Sequence, residues 1–189
     1  TTNAPVAVSY TIIPIANGCE GTSFTYTVTV NPTPAITSAA TDTICNNTAQ
    51  NYIITSKVSG TTFTWSRAAV TGISNEAISG QQSNSITEAL VNTTTSAIDV
   101  TYVIIPSASA CDGPAFNYVV TVSPTPIVTS ADADTVCSSA AQNYTITSGV
   151  AGTTYTWSRA AVTGISNAAV SGQLTNTITE TLVNTTTSA

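Results

Sequence analysis

The chain repeats itself with a period of 92 residues. Trp65 returns as Trp157 (157 − 65 = 92), Cys19 as Cys111, Cys45 as Cys137, Pro14 as Pro106 and Asn92 as Asn184. No insertion breaks the register, and roughly two thirds of the aligned positions are identical, as expected of a recent duplication. A period this long is not that of a solenoid coil or a propeller blade. The Thr-x-Thr texture brings an ice-binding β-solenoid to mind, but that needs a much shorter repeat. The period is the size of one small independent domain.

Proline sets the phase of the repeat. "NPTP" at 31–34 and "SPTP" at 123–126 each follow an alternating segment. Proline fixes φ and holds the preceding residue extended, so each pair makes a short stiff connector. Residues 35–126 then read as one complete module. Residues 1–34 read as the C-terminal strands of a preceding module, and residues 127–189 as the N-terminal strands of a following one. On this phase the chain is a window cut from a longer or processed protein, or a subunit with an incomplete module at each end.

The local pattern is that of strands. β-Branched and aromatic residues alternate with polar ones between Gly, Pro, Asn and Ser. Within 35–126, an edge strand is expected from Ile36. Further strands are expected over 51–56, 61–66, 84–91, 98–105 and 116–122. Six or seven short strands with connectors of this kind predict an all-β, immunoglobulin-like antiparallel sandwich, repeated in tandem. Trp65, with its repeat Trp157, takes the place of the central core tryptophan. Tyr102, on the penultimate strand, takes the place of a tyrosine corner. Core packing is the expectation for all three, and an exposed sugar-binding platform is the alternative. The segment 67–83, the best preserved between copies, reads as an edge strand and loop that shapes the module or contacts a neighbour.

Composition narrows the function. Only 6% of residues are charged, against about 25% in a typical soluble domain, so solubility rests on Thr, Ser and Asn. The net charge is −6 and the basic residues are Lys57, Arg67 and Arg159. That argues against nucleic-acid binding, which needs clustered basic side chains. No apolar run approaches the roughly 20 residues of a membrane helix, so membrane insertion is not expected. The chain has no His, which removes the commonest general base and metal ligand. No phosphate loop, nucleophile elbow or metal-ligand cluster is present, and no enzyme activity and no cofactor are expected. Asp132, Asp134 and Asp112 supply the clustered oxygens that a calcium site takes, but Asp132 corresponds to Ala40, so the site would not repeat. Arg67 with Glu88, echoed by Arg159 with Glu180, is expected to pair across strands.

Four cysteines in a charge-poor, Thr-rich chain point to disulfides and an oxidising compartment. Two intrachain schemes are open. Cys19–Cys45 and Cys111–Cys137 would staple across the proline connectors. Cys45–Cys111 would close a loop of about 66 residues within one module, worth about 4 kcal/mol on the chain-entropy estimate. Cys19 and Cys137 would then pair with adjacent modules. The second scheme is preferred because each domain carries its own bridge.

The order "DTIC", "GTTFTWSRAAVTGISN" and "ITEALVNTTTSAIDVTYVIIPSASACDGPAFNYVVTVSPTP" resembles the PKD-like, immunoglobulin-like repeats of giant secreted cell-surface adhesins of Bacteroidota. These include gliding-type adhesins exported by the type IX secretion system. The resemblance covers the whole chain. The Trp-Asp-Phe-Gly-Asp pattern of plain PKD domains is missing, and "TWSRA" stands near its place. The resemblance implies an extracellular array of β-sandwiches, with a disulfide between the "IC" and "CDG" cysteines, here Cys45 and Cys111. It also implies O-glycosylation at Asp-Thr followed by an apolar residue, which places candidate sugars on Thr43 and Thr135.

The expected role is a structural repeat of an extracellular, cell-surface fibre or giant adhesin. A carbohydrate-binding adhesin domain and a spacer in a large secreted hydrolase are the alternatives. The expected partners are neighbouring copies of the module, joined covalently in tandem or head-to-tail by strand complementation, and surface glycans.

Overall fold

The computed structural model describes residues 2–187, and strands are the only regular elements among them. Two compact units divide between Ser123 and Pro124, with Thr94–Ser96 belonging to the second.

The first unit opens with a hairpin of β1 (Val6–Ile12), β2 (Ile15–Ala16), β3 (Cys19–Glu20) and β4 (Phe24–Val30). β1 pairs antiparallel with β4 from Val6↔Val30 to Ile12↔Phe24, and β2 pairs with β3. Asn17 and Gly18 make the two-residue turn with φ of 48° and 79°. This left-handed pair is what a tight hairpin requires, and Asn-Gly supplies it with little strain.

The rest of the unit is a sandwich. Its strands are β5 (Thr41–Cys45), β6 (Tyr52–Ile53), β7 (Thr62–Arg67), β8 (Ile78–Gln82), β9 (Ser85–Ile86), β10 (Ile98–Ala108), β11 (Cys111–Asp112) and β12 (Phe116–Ser123). The larger sheet runs β5-β12-β10-β7-β8, with β11 extending from β10. β5 lies parallel to β12, and the other pairs are antiparallel. The smaller sheet holds β6 and β9, flanked by the bridges Ile36↔Ser56 and Ala49↔Ala89.

Side-chain alternation decides what is buried. Val100, Tyr102 and Ile104 of β10, Tyr118, Val120 and Val122 of β12, and Phe63 and Trp65 of β7 all face inward. They meet Tyr52, Ile54, Ile86 and Leu90 in one core. Burying a side chain of this size is worth about 1.5–3 kcal/mol, so these strands carry most of the fold's stabilisation.

The first strand differs from expectation. Ile36 makes only a bridge, and the edge strand is Thr41–Cys45, on the other sheet. The Tyr52 hydroxyl lies 2.8 Å from Ser38 Oγ and 2.7 Å from the Ala39 carbonyl oxygen. These contacts hold the chain in a bend where it passes from one sheet to the other. Gly113 fixes the connector that leads in. A Cβ there would lie 1.9 Å from the Pro34 carbonyl oxygen, so only glycine lets the backbone pass.

The second unit repeats the pairing of the first with the 92-residue offset. Its strands are β13 (Tyr144–Thr145), β14 (Trp157–Arg159), β15 (Val170–Gln173) and β16 (Thr177–Ile178). Tyr144↔Ile178 reproduces Tyr52↔Ile86, and Trp157↔Gln173 reproduces Trp65↔Gln81. Residues 133–137, equivalent to β5, form no strand.

Candidate functional site

The best-defined polar constellation is buried between the sheets. Arg67 is 2% exposed. Its Nε donates to Glu88 Oε2 and its Nη2 to Glu88 Oε1, both at 3.0 Å. Nη1 and Nη2 also donate to the carbonyls of Ala68 and Glu76 at 3.2 and 2.6 Å. The Tyr102 hydroxyl donates to Glu88 Oε2 at 2.8 Å and accepts from Gln50 Nε2 at 2.7 Å. The guanidinium carbon stands 6.0 Å from the centre of the Tyr102 ring.

The electrostatics are those of a closed structural knot. The hydrogen bonds that Arg67 donates to Glu88 outweigh burial and hold the guanidinium firmly charged. Burial, and then the Glu88 carboxylate, push the Tyr102 phenol well above its ordinary range. Each charge is spent on its partner, and the knot contains no nucleophile beside a free base. Its work is to join β7 and β10 to the loops that carry Gln50 and Glu88.

The expected Arg67–Glu88 and Arg159–Glu180 pairs are both present, at 3.0 and 2.9 Å. Gln50 and the Tyr102 hydroxyl escaped the sequence reading. The signal was available, since Gln50 returns as Gln142 and Tyr102 is itself the repeat of Tyr10. The tyrosine-corner expectation for Tyr102 needs correction, because its hydroxyl bonds two side chains and not a backbone group.

Trp65 and Tyr102 lie in the core, at 5.7 Å and 67° to one another. Tyr102 leans on Tyr118 at 5.9 Å, and Tyr118 stacks flat on Tyr52 at 3.7 Å. Trp157 is half-buried, and its indole donates to Thr175 Oγ1.

The two hairpins of the chain differ most in exposure. Tyr102 and Tyr118 are 0% exposed, whereas their repeats Tyr10 and Tyr26 are each 53% exposed. Val8, Ile12, Phe24 and Val30 are likewise open, although Val100, Ile104 and Val122 are sealed. The residues on the core-facing side of β10–β12 nevertheless return in the first hairpin, identical at Val8/Val100, Tyr10/Tyr102, Ile12/Ile104, Phe24/Phe116, Tyr26/Tyr118, Val28/Val120 and Val30/Val122 and apolar at Val6/Ile98. An apolar, aromatic-rich face of this kind is the strongest candidate interaction surface in the molecule.

The cysteines require a correction. No disulfide joins any two of the four cysteines within the chain, and the expected Cys45–Cys111 bridge is the one that fails. Cys45 lies beside Ser123 at one end of the larger sheet, and Cys111 lies opposite Ala108 at the other. Val122 faces Ile98, so the two ends are separated by the ten-residue rise of β10 from Ile98 to Ala108. At about 3.3 Å per residue that is roughly 30 Å. A disulfide needs Cα atoms within about 7 Å, so the structure does not bring Cys45 and Cys111 together. Cys19, opposite Ala16, and Cys137 are exposed.

Thr43 and Thr135 are exposed, and each backbone N–H is held by the preceding aspartate, at 2.8 and 2.7 Å. Thr43 stands on the edge strand β5. Among the described residues no three His, Cys, Asp or Glu side chains gather around a metal position, Asp112, Asp132 and Asp134 included. No helix among them is long and apolar enough to cross a membrane.

A family described as the PKD-like domain matches residues 1–34, 42–126 and 134–189. No curated protein matches the chain. Among solved structures the chain is similar to one titled protocadherin gammaB7 EC3-6 cis-dimer, at 11% identity and a TM-score of 0.30. That match covers 92% of this chain and 60% of the other.

Proposed function

Because the chain belongs to the PKD-like domain family, we propose that it is a structural repeat of an extracellular, cell-surface fibre or giant adhesin. The observation that carries this reading is where the two copies differ. Seven inward-facing positions of the hairpins are identical and Val6/Ile98 keeps its apolar character, while Ser9/Thr101, Thr11/Val103, Thr25/Asn117 and Thr27/Val119 vary on the other face. The sandwich has been kept as a building unit. Low charge, Thr-rich surfaces and stiff proline connectors suit units laid in series outside the cell. The sequence resemblance to giant secreted adhesins of Bacteroidota favours the same setting. O-Linked sugars on Thr43 and Thr135 belong to this proposal, and intact-mass measurement of native material tests them.

The decisive experiment measures length. Proteins carrying two, four and six copies of the period are compared by solution scattering and electron microscopy. A fibre element lengthens by a fixed step per copy, roughly 35 Å if β10 spans the module. Collapse of the copies into a compact particle would overturn the fibre reading. Saturable binding of one module to a defined glycan would favour a carbohydrate-binding adhesin domain instead.

A further inference from the structure

We propose that the groove between the start of β7 and the end of β8 binds one unit of a neutral sugar. The inference rests on the adhesin side of the reading above and names the chemical class of what the repeat holds.

The groove lies within the closed sandwich. Residues 61–64 form one wall and residues 82–84 the other, around a volume of about 450 Å³. Sites for small ligands commonly enclose about 300–1,000 Å³. No ionisable side chain lines the groove, so a charged ligand would lose water there without gaining a counter-charge.

The sheet leaves one backbone donor open at this place. Pro106 has no N–H, and its carbonyl accepts from the Gly113 N–H at 2.8 Å, away from β7. The bonds between β10 and β7 are therefore exchanged at Ile105↔Thr64 and Ser107↔Thr62. Phe63, between them, turns its backbone N–H toward β8, where the ladder ends at Thr64↔Gln82. That N–H opens into the groove. It is a single donor, since β8 covers the edge from Thr64 onward and the Thr61 hydroxyl is bound to the Val58 carbonyl in the turn before it. A docked peptide strand needs a run of such groups, and a small polyhydroxyl ligand does not.

The side chains supply the rest. Thr64, Gln82 and Asn84 are exposed, and their hydroxyl and amides both donate and accept. Behind the wall, Trp65 is 5% exposed and its indole N–H is buried without an acceptor. Its repeat Trp157 donates to Thr175 Oγ1 at 3.1 Å. Thr175 is the repeat of Ser83, whose hydroxyl is instead spent on the Ser85 carbonyl at 3.1 Å. A sugar hydroxyl that takes over the bond to Ser85 frees Ser83 Oγ to accept from the Trp65 indole.

The two copies part company here. Of the 32 residues from 61 to 92, seven change in the repeat, and three of the seven line this groove: Phe63/Tyr155, Gln82/Leu174 and Ser83/Thr175. Leu174 cannot replace the amide of Gln82, so the first copy alone carries the full set of donors and acceptors.

The test titrates the whole chain with glucose, galactose, mannose and N-acetylglucosamine, with glucuronate and triglycine as controls, and follows amide and indole resonances. At least one neutral sugar is expected to shift the Trp65 indole and the Phe63 amide with a midpoint of about 1–10 mM, as suits about a dozen non-hydrogen atoms in an open groove. The Trp157 indole, already bonded to Thr175, stays in place. Gln82→Leu combined with Ser83→Thr lowers the affinity by roughly tenfold or more, the loss of one or two hydrogen bonds. Both residues stand at the equivalent positions of the repeat, so the variant keeps its circular dichroism. The proposal is overturned if no neutral sugar moves Trp65 at about ten times that concentration range. Equal binding by the variant, or equal shifts from glucuronate or triglycine, also overturns it. A positive titration favours the adhesin side, whereas the length step per copy alone decides whether the copies lie in series, so either can fail while the other stands.

Discussion

The Tyr102 hydroxyl donates to Glu88 Oε2 at 2.8 Å, and the same carboxylate takes both prongs of Arg67. Glu88 therefore satisfies a buried cation and a buried phenol at once. Its replacement by alanine leaves Arg67 buried without its counter-charge, which costs about 3–5 kcal/mol. Tyr102→Phe removes one bond to Glu88 and leaves Gln50 Nε2 without its acceptor, for about 1–3 kcal/mol. Urea denaturation checks both, and a change below about 0.5 kcal/mol in Glu88→Ala, the scale of an ordinary surface substitution, would refute the knot.

Alkali should unfold the first unit through its tyrosines. Tyr52, Tyr102 and Tyr118 all titrate above the ordinary tyrosine value, mainly because burial disfavours the phenolate. The Asp42 carboxylate adds to the effect on Tyr118. A raised folded-state value means that stability is fully present below about pH 10 and falls as the pH climbs further. Tyrosinate absorbance should therefore remain incomplete until the near-ultraviolet dichroism is lost. Smooth ionisation of all tyrosines in the folded state would count against this core. Acid acts on the second unit with the opposite sign. The bond to Arg159 lowers the pKa of Glu180, so its contribution is present above the ordinary glutamate value and is lost as the pH falls through the lowered one.

The turn of the second hairpin holds strain that the first avoids. Ser109 and Ala110 take φ of 48° and 61°, in the positions where the first hairpin has Asn17 and Gly18. Left-handed backbone costs an ordinary residue about 1–2 kcal/mol, and a tight hairpin turn prefers Asn-Gly. The double change Ser109→Asn with Ala110→Gly should raise stability by about 1–2 kcal/mol, read as a higher melting temperature. An unchanged or lower value would mean that the turn is relaxed as it stands.

Cys45 and Cys111 should not bridge to each other in the folded chain. Oxidation followed by proteolysis and mass spectrometry is expected to yield no peptide linking them. Such a peptide in native, folded protein would require the larger sheet to be arranged otherwise than by the β5–β12 and β10–β11 registers.

Much of the fold was legible because strands announce themselves locally. Phe63 and Trp65, or Val100, Tyr102 and Ile104, face one way because side chains alternate along any strand. The Arg67–Glu88 pair was legible because an isolated cation and an isolated anion recur together at the repeat distance. The edge strand Thr41–Cys45 was not legible, because its partner is β12, far along the chain and parallel to it. The Cys45–Cys111 pairing failed for the same reason. Loop length is visible in a sequence, but the end of a sheet on which a residue lies depends on strand direction.

The sequence by itself determined the period, the strand-forming pattern and the connectors, since these depend on residue order and local backbone preference alone. Only the tertiary structure decided that Tyr102 is sealed while Tyr10, with the same neighbours in its own hairpin, stands open. Burial is a property of what lies across the sheet, and one sequence pattern serves for both outcomes.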